Sequence, residues 1–183
     1  MKRLLFVDTE TGGLKPKEHD LLTIGLVVYE EGKSLFETEI LIKKDSYNVC
    51  KEAMDVNKID LEDLKKNGMT EKEAVLEINR ICKEYFLGEK PILVGHNISF
   101  DAGFLKELYF RTYTKYYDTF SYRAIDTMAV LLYLYYAGKI EKYIGKLDDA
   151  IEYFNLELDT TKRHSALTDC KVTVDLFNKT TDL

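Results

Sequence analysis

The sequence predicts an α/β fold built on one mixed sheet, and three observations carry that prediction. Three apolar segments come early and are joined by short turns, which makes an antiparallel meander. After them, short apolar runs alternate with stretches of helical period, the mark of crossover connections. The first segment, Leu4-Leu5-Phe6-Val7, reads as a buried strand and runs straight into two acids, Asp8 and Glu10. Hairpins combined with crossovers imply a sheet with both antiparallel and parallel pairs.

The opening strand ends at the Gly12-Gly13 turn. Leu21 to Tyr29 follows as a second strand, Glu30-Glu31-Gly32-Lys33 as a hairpin turn, and Leu35 to Lys43 as a third strand with alternating pattern. Cys50 to Leu64 holds one or two short amphipathic helices. Thr70-Glu71-Lys72-Glu73 is a capping box, in which the Thr and Glu side chains satisfy each other's backbone amides, and it opens a helix to about Leu87. Gly88 to Pro91 stops it. Ile92-Leu93-Val94 is a short buried strand and Gly95-His96-Asn97 a turn. Phe100 to about Tyr113 is a helix with Phe104, Leu105 and Leu108 on its apolar face and Asp101 in its first turn. A fifth strand around Tyr122 to Ile125 leads into a helix start at Asp126-Thr127. Two further helices are expected, near Leu147 to Phe154 and from about Ser165 to the end.

A chain of 183 residues with 45% apolar and 12% aromatic content fits one domain across residues 1–183 with one sizeable core. It holds no secretory segment and no run of eighteen apolar residues, so no membrane association is expected and Met1-Lys2-Arg3 reads as the start of a soluble protein. The three cysteines, Cys50, Cys82 and Cys170, are odd in number, widely spaced and without a C-x-x-C pair. They read as free thiols in a reducing compartment, which points to the cytoplasm. A net charge of −6 argues against a protein that grips long nucleic acid by a broad basic surface. It leaves a nuclease open, because acids bunched around bound cations account for much of such an excess. Nine of the thirteen tyrosines fall between Tyr109 and Tyr143. They can form a stacking surface for bases, but the expectation is that most are core or interface aromatics with a polar tip.

Successive side chains of a strand point to opposite faces, so Asp8 and Glu10 project to one side, about 7 Å apart along the backbone. A buried pair of like charges is costly unless something cationic sits between them, and oxygen ligands at this spacing suit hard divalent ions such as magnesium or manganese. Taken alone, the motif reads equally well as a strand ending in a solvated acidic turn. Val94-Gly95-His96-Asn97-Ile98-Ser99-Phe100-Asp101 places another carboxylate at a helix start just after a buried strand. His164-Ser165-Ala166-Leu167-Thr168-Asp169 spaces an imidazole and a carboxylate five apart. Five helical positions subtend roughly 140°, so the two do not share a face of one regular helix, and His164 is expected on the entering loop. Singly, each also has an ordinary reading: His164 as a loop histidine, Asp101 as a helix cap or first-turn acid, Asp169 as a solvated helical position.

Together these segments resemble the DEDDh exonucleases of the DnaQ-like superfamily, which includes replicative proofreading subunits, ribonuclease T and oligoribonuclease. The resemblance runs from Phe6 to about Phe177. The family's D-x-E motif matches Asp8 and Glu10 within F-V-D-T-E-T-G-G-L, its second motif matches Asp101 within G-H-N-I-S-F-D, and its third, H-x-x-x-x-D, matches His164 and Asp169. Ser165 is not tyrosine, so the tyrosine-variant branch does not fit. Asp126-Thr127 and Leu147-Asp148-Asp149-Ala150 resemble family positions more weakly.

The resemblance implies a ribonuclease-H-like core, a five-stranded mixed β-sheet flanked by α-helices, with the site over the central strand. It implies two divalent metal ions, Mg2+ or Mn2+, held by Asp8, Glu10, Asp101 and Asp169, with His164 as the base that takes the proton of the attacking water. The product would be nucleoside 5′-monophosphates cut from a 3′ end. The turn Thr11-Gly12-Gly13-Leu14 would contact the terminal nucleotide, with His96, Asn97 and Phe100 beside it. From composition alone the glycine pair is as well explained as a simple turn. Lys162 and Arg163 can touch a phosphate or be solvated loop charges. The implied partner is a single-stranded 3′ end, DNA ahead of RNA, because F-V-D-T-E-T-G-G-L and K-L-D-D-A-I-E-Y-F look closer to the proofreading branch than to oligoribonuclease. The C-terminal extension of bacterial proofreading subunits is not expected here, so a polymerase partner would need another surface. The alternatives are an RNA exonuclease or oligoribonuclease of the same family, or a catalytically silent nucleic-acid-binding module.

Overall fold

Alternate residues of the opening strand face different layers, and the two faces of the sheet sort the chain into two main cores. The computed structural model describes residues 2–157 and 165–181. Strands β1 (Arg3–Thr11), β2 (Leu21–Glu30) and β3 (Lys33–Leu41) form the expected antiparallel meander. Its second hairpin turns at Glu31 and Gly32, both at positive φ, the geometry that matches a tight turn to the twist of its strands. Two short strands, β4 (Leu93–Gly95) and β5 (Ala124–Asp126), add in parallel on the other side, giving the order β3-β2-β1-β4-β5 with β1 central.

On one face, Leu5 and Val7 of β1 join Ile24, Leu26 and Val28 of β2 against helices α3 (Glu71–Phe86) and α4 (Ile98–Arg111). The expected capping box opens α3: the Thr70 amide donates to Glu73 and the Glu73 amide to the Thr70 hydroxyl. On the opposite face, Phe6, Val27, Tyr29 and Val94 meet Cys170 and Val174 of helix α8 (Ala166–Thr181). The rings of Phe6, Tyr29 and Phe177 lock this layer edge to face at 5.3–5.7 Å, and the Tyr29 hydroxyl donates to Asn178 at 2.6 Å. A third cluster forms where α6 (Thr127–Tyr136) and α7 (Leu147–Phe154) pack with α8 through Leu131, Leu134, Ala150, Val172 and Leu176. Short helices α1 (Lys51–Asn57), α2 (Leu61–Asn67) and α5 (Tyr116–Thr119) complete the described elements.

The structure departs from expectation in several places, among them the unexpected short helix at Tyr116–Thr119 and a fifth strand that begins at Ala124. The third strand ends at Leu41, because Ile42 leaves it to bridge Met69. Helix α4 starts at Ile98, since Asn97 at φ 61 turns the chain sharply enough for the helix to begin at once. The tyrosines mostly do not enter the core. Tyr109 and Tyr116 are buried, whereas Tyr113, Tyr117, Tyr122, Tyr133, Tyr135, Tyr136 and Tyr143 are exposed. Helix α6 has one buried side, filled by Leu131 and Leu134, which leaves the neighbouring tyrosines in solvent. Cys82 and Cys170 are buried, Cys50 is half-buried, and all three are free thiols. Among the described residues no helix is long and apolar enough to cross a membrane.

Candidate active site

The site grows out of one row of cross-strand partners. Asp8 of β1 pairs with Gly25 of β2, which pairs with Glu39 of β3. A glycine inside an otherwise apolar strand marks a close approach by another part of the chain, and here that part is the start of α8. A Cβ on Gly25 would lie 2.2 Å from the Ala166 carbonyl oxygen and 2.5 Å from the Leu167 nitrogen. Glu39 completes the seat. Its carboxylate accepts from the Ser165 hydroxyl at 3.2 Å and the Leu167 amide at 3.4 Å, an anion at a helix end whose first amides have no partner within the helix. Lys171, one turn on, pairs with Glu37 of β3 at 2.8 Å.

Seated this way, α8 carries Asp169 onto the face of β1 that bears Asp8 and Glu10. Carboxylate oxygens of the three lie within 4.8 Å of one another. Asp8 and Glu10 are half-buried and Asp169 is buried.

Asp101 arrives from the other side of the sheet. Thr9, between the two acids of β1, points to the opposite face, where its hydroxyl donates to Asp101 Oδ1 at 2.7 Å. The first turn of α4 can come this close because β4 pairs with β1 only at Leu5 and Phe6, leaving the far end of β1 open on that edge. Burial pushes the Asp101 carboxyl up to about 7, against the opposing pull of the Thr9 hydroxyl. Asp101 is not a member of the three-carboxylate group. It is near it: burial raises the Cys170 thiol far above its usual range, and the negative charges of both Asp8 and Asp101 add to that rise. His164, Lys162 and Arg163 lie outside the described residues.

The turn after β1 uses its glycines for internal packing. A Cβ on Gly12 would sit 2.6 Å from the Asn48 carbonyl oxygen, and one on Gly13 would sit 2.6 Å from the His19 ring. Thr11 is buried with its hydroxyl donating to the Gly13 carbonyl at 2.8 Å. Leu14 projects outward, 80% exposed. On the other rim, Thr127 donates its hydroxyl to the Gly95 carbonyl and so accepts from His96 Nδ1 at 3.0 Å. Burial holds the His96 imidazole below its ordinary pKa. Asn97 is exposed, and its amide donates to Asp126 Oδ1 at 2.9 Å. Asp126 also caps α6 through the Met128 amide, tying that helix to the turn that leads into α4. Phe100 is half-buried against Phe104, with ring centroids 5.1 Å apart.

Sequence reading missed three positioning residues. The mid-strand glycine of Leu21–Tyr29 was a visible signal for Gly25, and strand alternation placed Thr9 opposite Asp8 and Glu10. Nothing local marked Glu39, whose role depends on register across three strands.

The donor set of Asp8, Glu10 and Asp169 is all carboxylate oxygen. That chemistry fits hard divalent cations such as magnesium or manganese, and among the described residues the group holds none of the nitrogen and sulfur donors that zinc sites favour.

A carboxylate cluster over the central strand of a mixed five-stranded sheet, with helices on both faces, defines a ribonuclease-H-like nuclease. The fold matches that of Escherichia coli exonuclease I solved with a dT13 oligonucleotide, with a TM-score of 0.83 at 15% identity over 98% of this chain and 41% of that one. A second exonuclease I structure aligns with a TM-score of 0.82 and 16% identity, over 96% of this chain and 40% of that one. This chain belongs to the RNase_T exonuclease family, whose pattern matches residues 5–177, and it is an exonuclease. Ribonuclease T of E. coli K12 and ribonuclease T of Wigglesworthia glossinidia brevipalpis are each 28% identical to it, over 93% of this chain and 80% of theirs. The chain spans about two fifths of the length of exonuclease I.

Proposed function

We propose that residues 1–183 form one exonuclease domain that removes nucleotides from single-stranded or frayed 3′ ends, in the 3′ to 5′ direction and with divalent metal ions. The observation that carries this reading is the convergence of Asp8, Glu10 and Asp169 from two distant segments, with Asp101 held by Thr9 at the back of the same strand. Asp8, Glu10, Asp101 and Asp169 are the residues that would hold the ions. Bound there, a pair of divalent ions supplies an activated water and stabilises charge on the leaving 3′ oxygen. His164 accepts the proton of the attacking water, which a histidine with an unperturbed pKa near 6.5 does at neutral pH. Leu14, Asn97 and Phe100 face the terminal nucleotide. That nucleotide must be splayed from its neighbour to reach the carboxylates, so single strands are cut faster than paired duplex. A cytoplasmic location agrees with three free thiols.

DNA is the favoured substrate, on the likeness of the D-x-E segment to proofreading exonucleases and on the oligothymidylate bound to exonuclease I. RNA is the second reading, because the curated relatives are named ribonuclease T. Matched 3′-labelled DNA and RNA oligonucleotides, incubated with magnesium or manganese, decide between them. The expected outcome is stepwise release of nucleoside 5′-monophosphates, abolished by Asp8→Ala. Labelled ends left intact with both metals would sink the exonuclease reading, and RNA degraded at least tenfold faster than DNA would reverse the ranking.

A further inference from the structure

Next to the turn that follows the acids of β1, the surface opens into a groove of about 730 Å³ between residues 14–18 and one side of α4. Gly103, Lys106 and Phe110 form its helical wall, three and four residues apart and so on a single face. Gly103 allows the opposite wall to approach: a Cβ there would sit 3.3 Å from Pro16. Two large apolar side chains stand free at its rim, Leu14 at 80% and Phe110 at 75% exposure. Three lysines line it, Lys15, Lys17 and Lys106.

The charges of this groove are not balanced. Its two acids are already engaged, Glu18 by Lys15 at 3.0 Å and Glu107 by Arg111 at 3.2 Å. Lys17 has no ion-pair partner among the described residues, and the Lys106 ammonium lies over the rings of Tyr116 and Tyr117 at 5.5 and 5.7 Å. On a chain with a net charge of −6, exposed cations alternating with exposed apolar side chains match a strand that alternates phosphates with bases. Leu14 links the groove to the site. Leu14 follows the turn that leaves the acids of β1, and α4 carries Asp101 in its first turn. From Asp101 to Phe110 is nine residues, about 14 Å along the helix axis and about half a turn around it, so Gly103, Lys106 and Phe110 face away from Asp101 and the groove meets the site at its Leu14 end.

We propose that this groove is the upstream subsite of the exonuclease. It holds the stretch of single strand behind the terminal nucleotide, with Phe110 stacking on a base and Lys17 and Lys106 meeting phosphates. The proposal rests on the exonuclease reading for its catalytic consequence, a preference for oligomers over dinucleotides, but not for binding itself.

Binding is measured by anisotropy of fluorescein-labelled dT12 in EDTA, and turnover with magnesium on dT12 and on the dinucleotide pdTpdT. All three side chains are exposed on the surface, and alanine is a good helix former at 106 and 110, so the variants are expected to fold. Phe110→Ala weakens dT12 binding about tenfold, consistent with loss of one stacked base. The double variant Lys17→Ala/Lys106→Ala lowers the slope of log K against log salt by about 1.4, the value for two single-strand phosphate contacts. Both variants raise KM on dT12 about tenfold and on pdTpdT less than twofold. Affinity and salt slope for dT12 left within error of wild type, no binding of dT12 by wild type, or equal losses on dT12 and pdTpdT would each overturn the proposal. Wild-type protein that binds dT12 but never cuts it defeats the exonuclease reading alone, and the binding arm still decides the groove.

Discussion

Replacing Gly25 with alanine adds one methyl group in the middle of β2 and tests how the site is assembled. The new Cβ would meet the Ala166 carbonyl oxygen at 2.2 Å and the carbonyl carbon at 2.3 Å. Both are backbone atoms, so no side chain can swing aside. Ordinary contact begins near 3.4 Å, so the start of α8 must lift by about 1 Å or the strand must distort. Overpacking of this kind costs ~1–3 kcal/mol, of which the lower backbone entropy of alanine in a strand recovers about 0.5–1 kcal/mol. For a chain of this size each kcal/mol lowers Tm by about 2–4 °C. The functional loss should be larger, because Asp169 rides on the same first turns of α8 and metal sites tolerate only about 0.2 Å in ligand distance. A displacement near 1 Å costs on the order of 10²-fold in turnover. The assay pairs thermal unfolding with kcat on a single-stranded oligonucleotide and calorimetric titration of magnesium or manganese. Gly32→Ala is the control: it sits at φ 86 in an open turn with nothing within 4 Å, so it should lose about 1 kcal/mol of stability and keep its turnover. If Gly25→Ala retains wild-type Tm and metal affinity with turnover within twofold, the seating of α8 on Gly25 does not organise the carboxylates.

Glu39→Ala removes the cap from α8 and should cost about 1 kcal/mol with a measurable drop in kcat, while Glu39→Gln, which keeps an acceptor, should lose less; thermal melts and turnover of the pair check the order. Thr9→Val deletes the hydroxyl that donates to Asp101 at 2.7 Å with little change of shape, so kcat should fall and Thr9→Ser should restore it, as steady-state rates will report. Burial lowers the His96 pKa in the folded state, so the unfolded chain binds the proton more readily, and the stability present above the unfolded pKa of about 6.5 is lost as pH drops below it. Melting temperatures between pH 8 and pH 5 should show this fall, and His96→Gln should reduce it.

The sequence alone determined what depends on neighbours along the chain. Strand alternation put Asp8 and Glu10 on one face, the Thr70 and Glu73 pair set the start of α3, and the position of Asp101 just after a buried strand put it in the first turn of α4. Four strands, the helices other than α5, and the family motifs were legible for the same reason: each is a local pattern of period, cap or spacing. The third strand was legible as a strand, but the place where Ile42 leaves it for Met69 was not.

Only the tertiary structure decided which acids meet. Asp169 reaches Asp8 and Glu10 because α8, far along the chain, lands on Gly25 and is held by Glu39, a row fixed by register across three consecutive strands. Asp101 stands behind β1 on Thr9 because β4 is too short to cover that edge. The glycines of the first turn are small to admit Asn48, Val49 and His19, contacts that composition cannot assign. Tyr133, Tyr135 and Tyr136 lie in solvent because Leu131 and Leu134 already fill the buried side of α6. Propensity and period act over a few residues, whereas burial and register are settled by the whole packed chain, and the site lies where register brings its segments together.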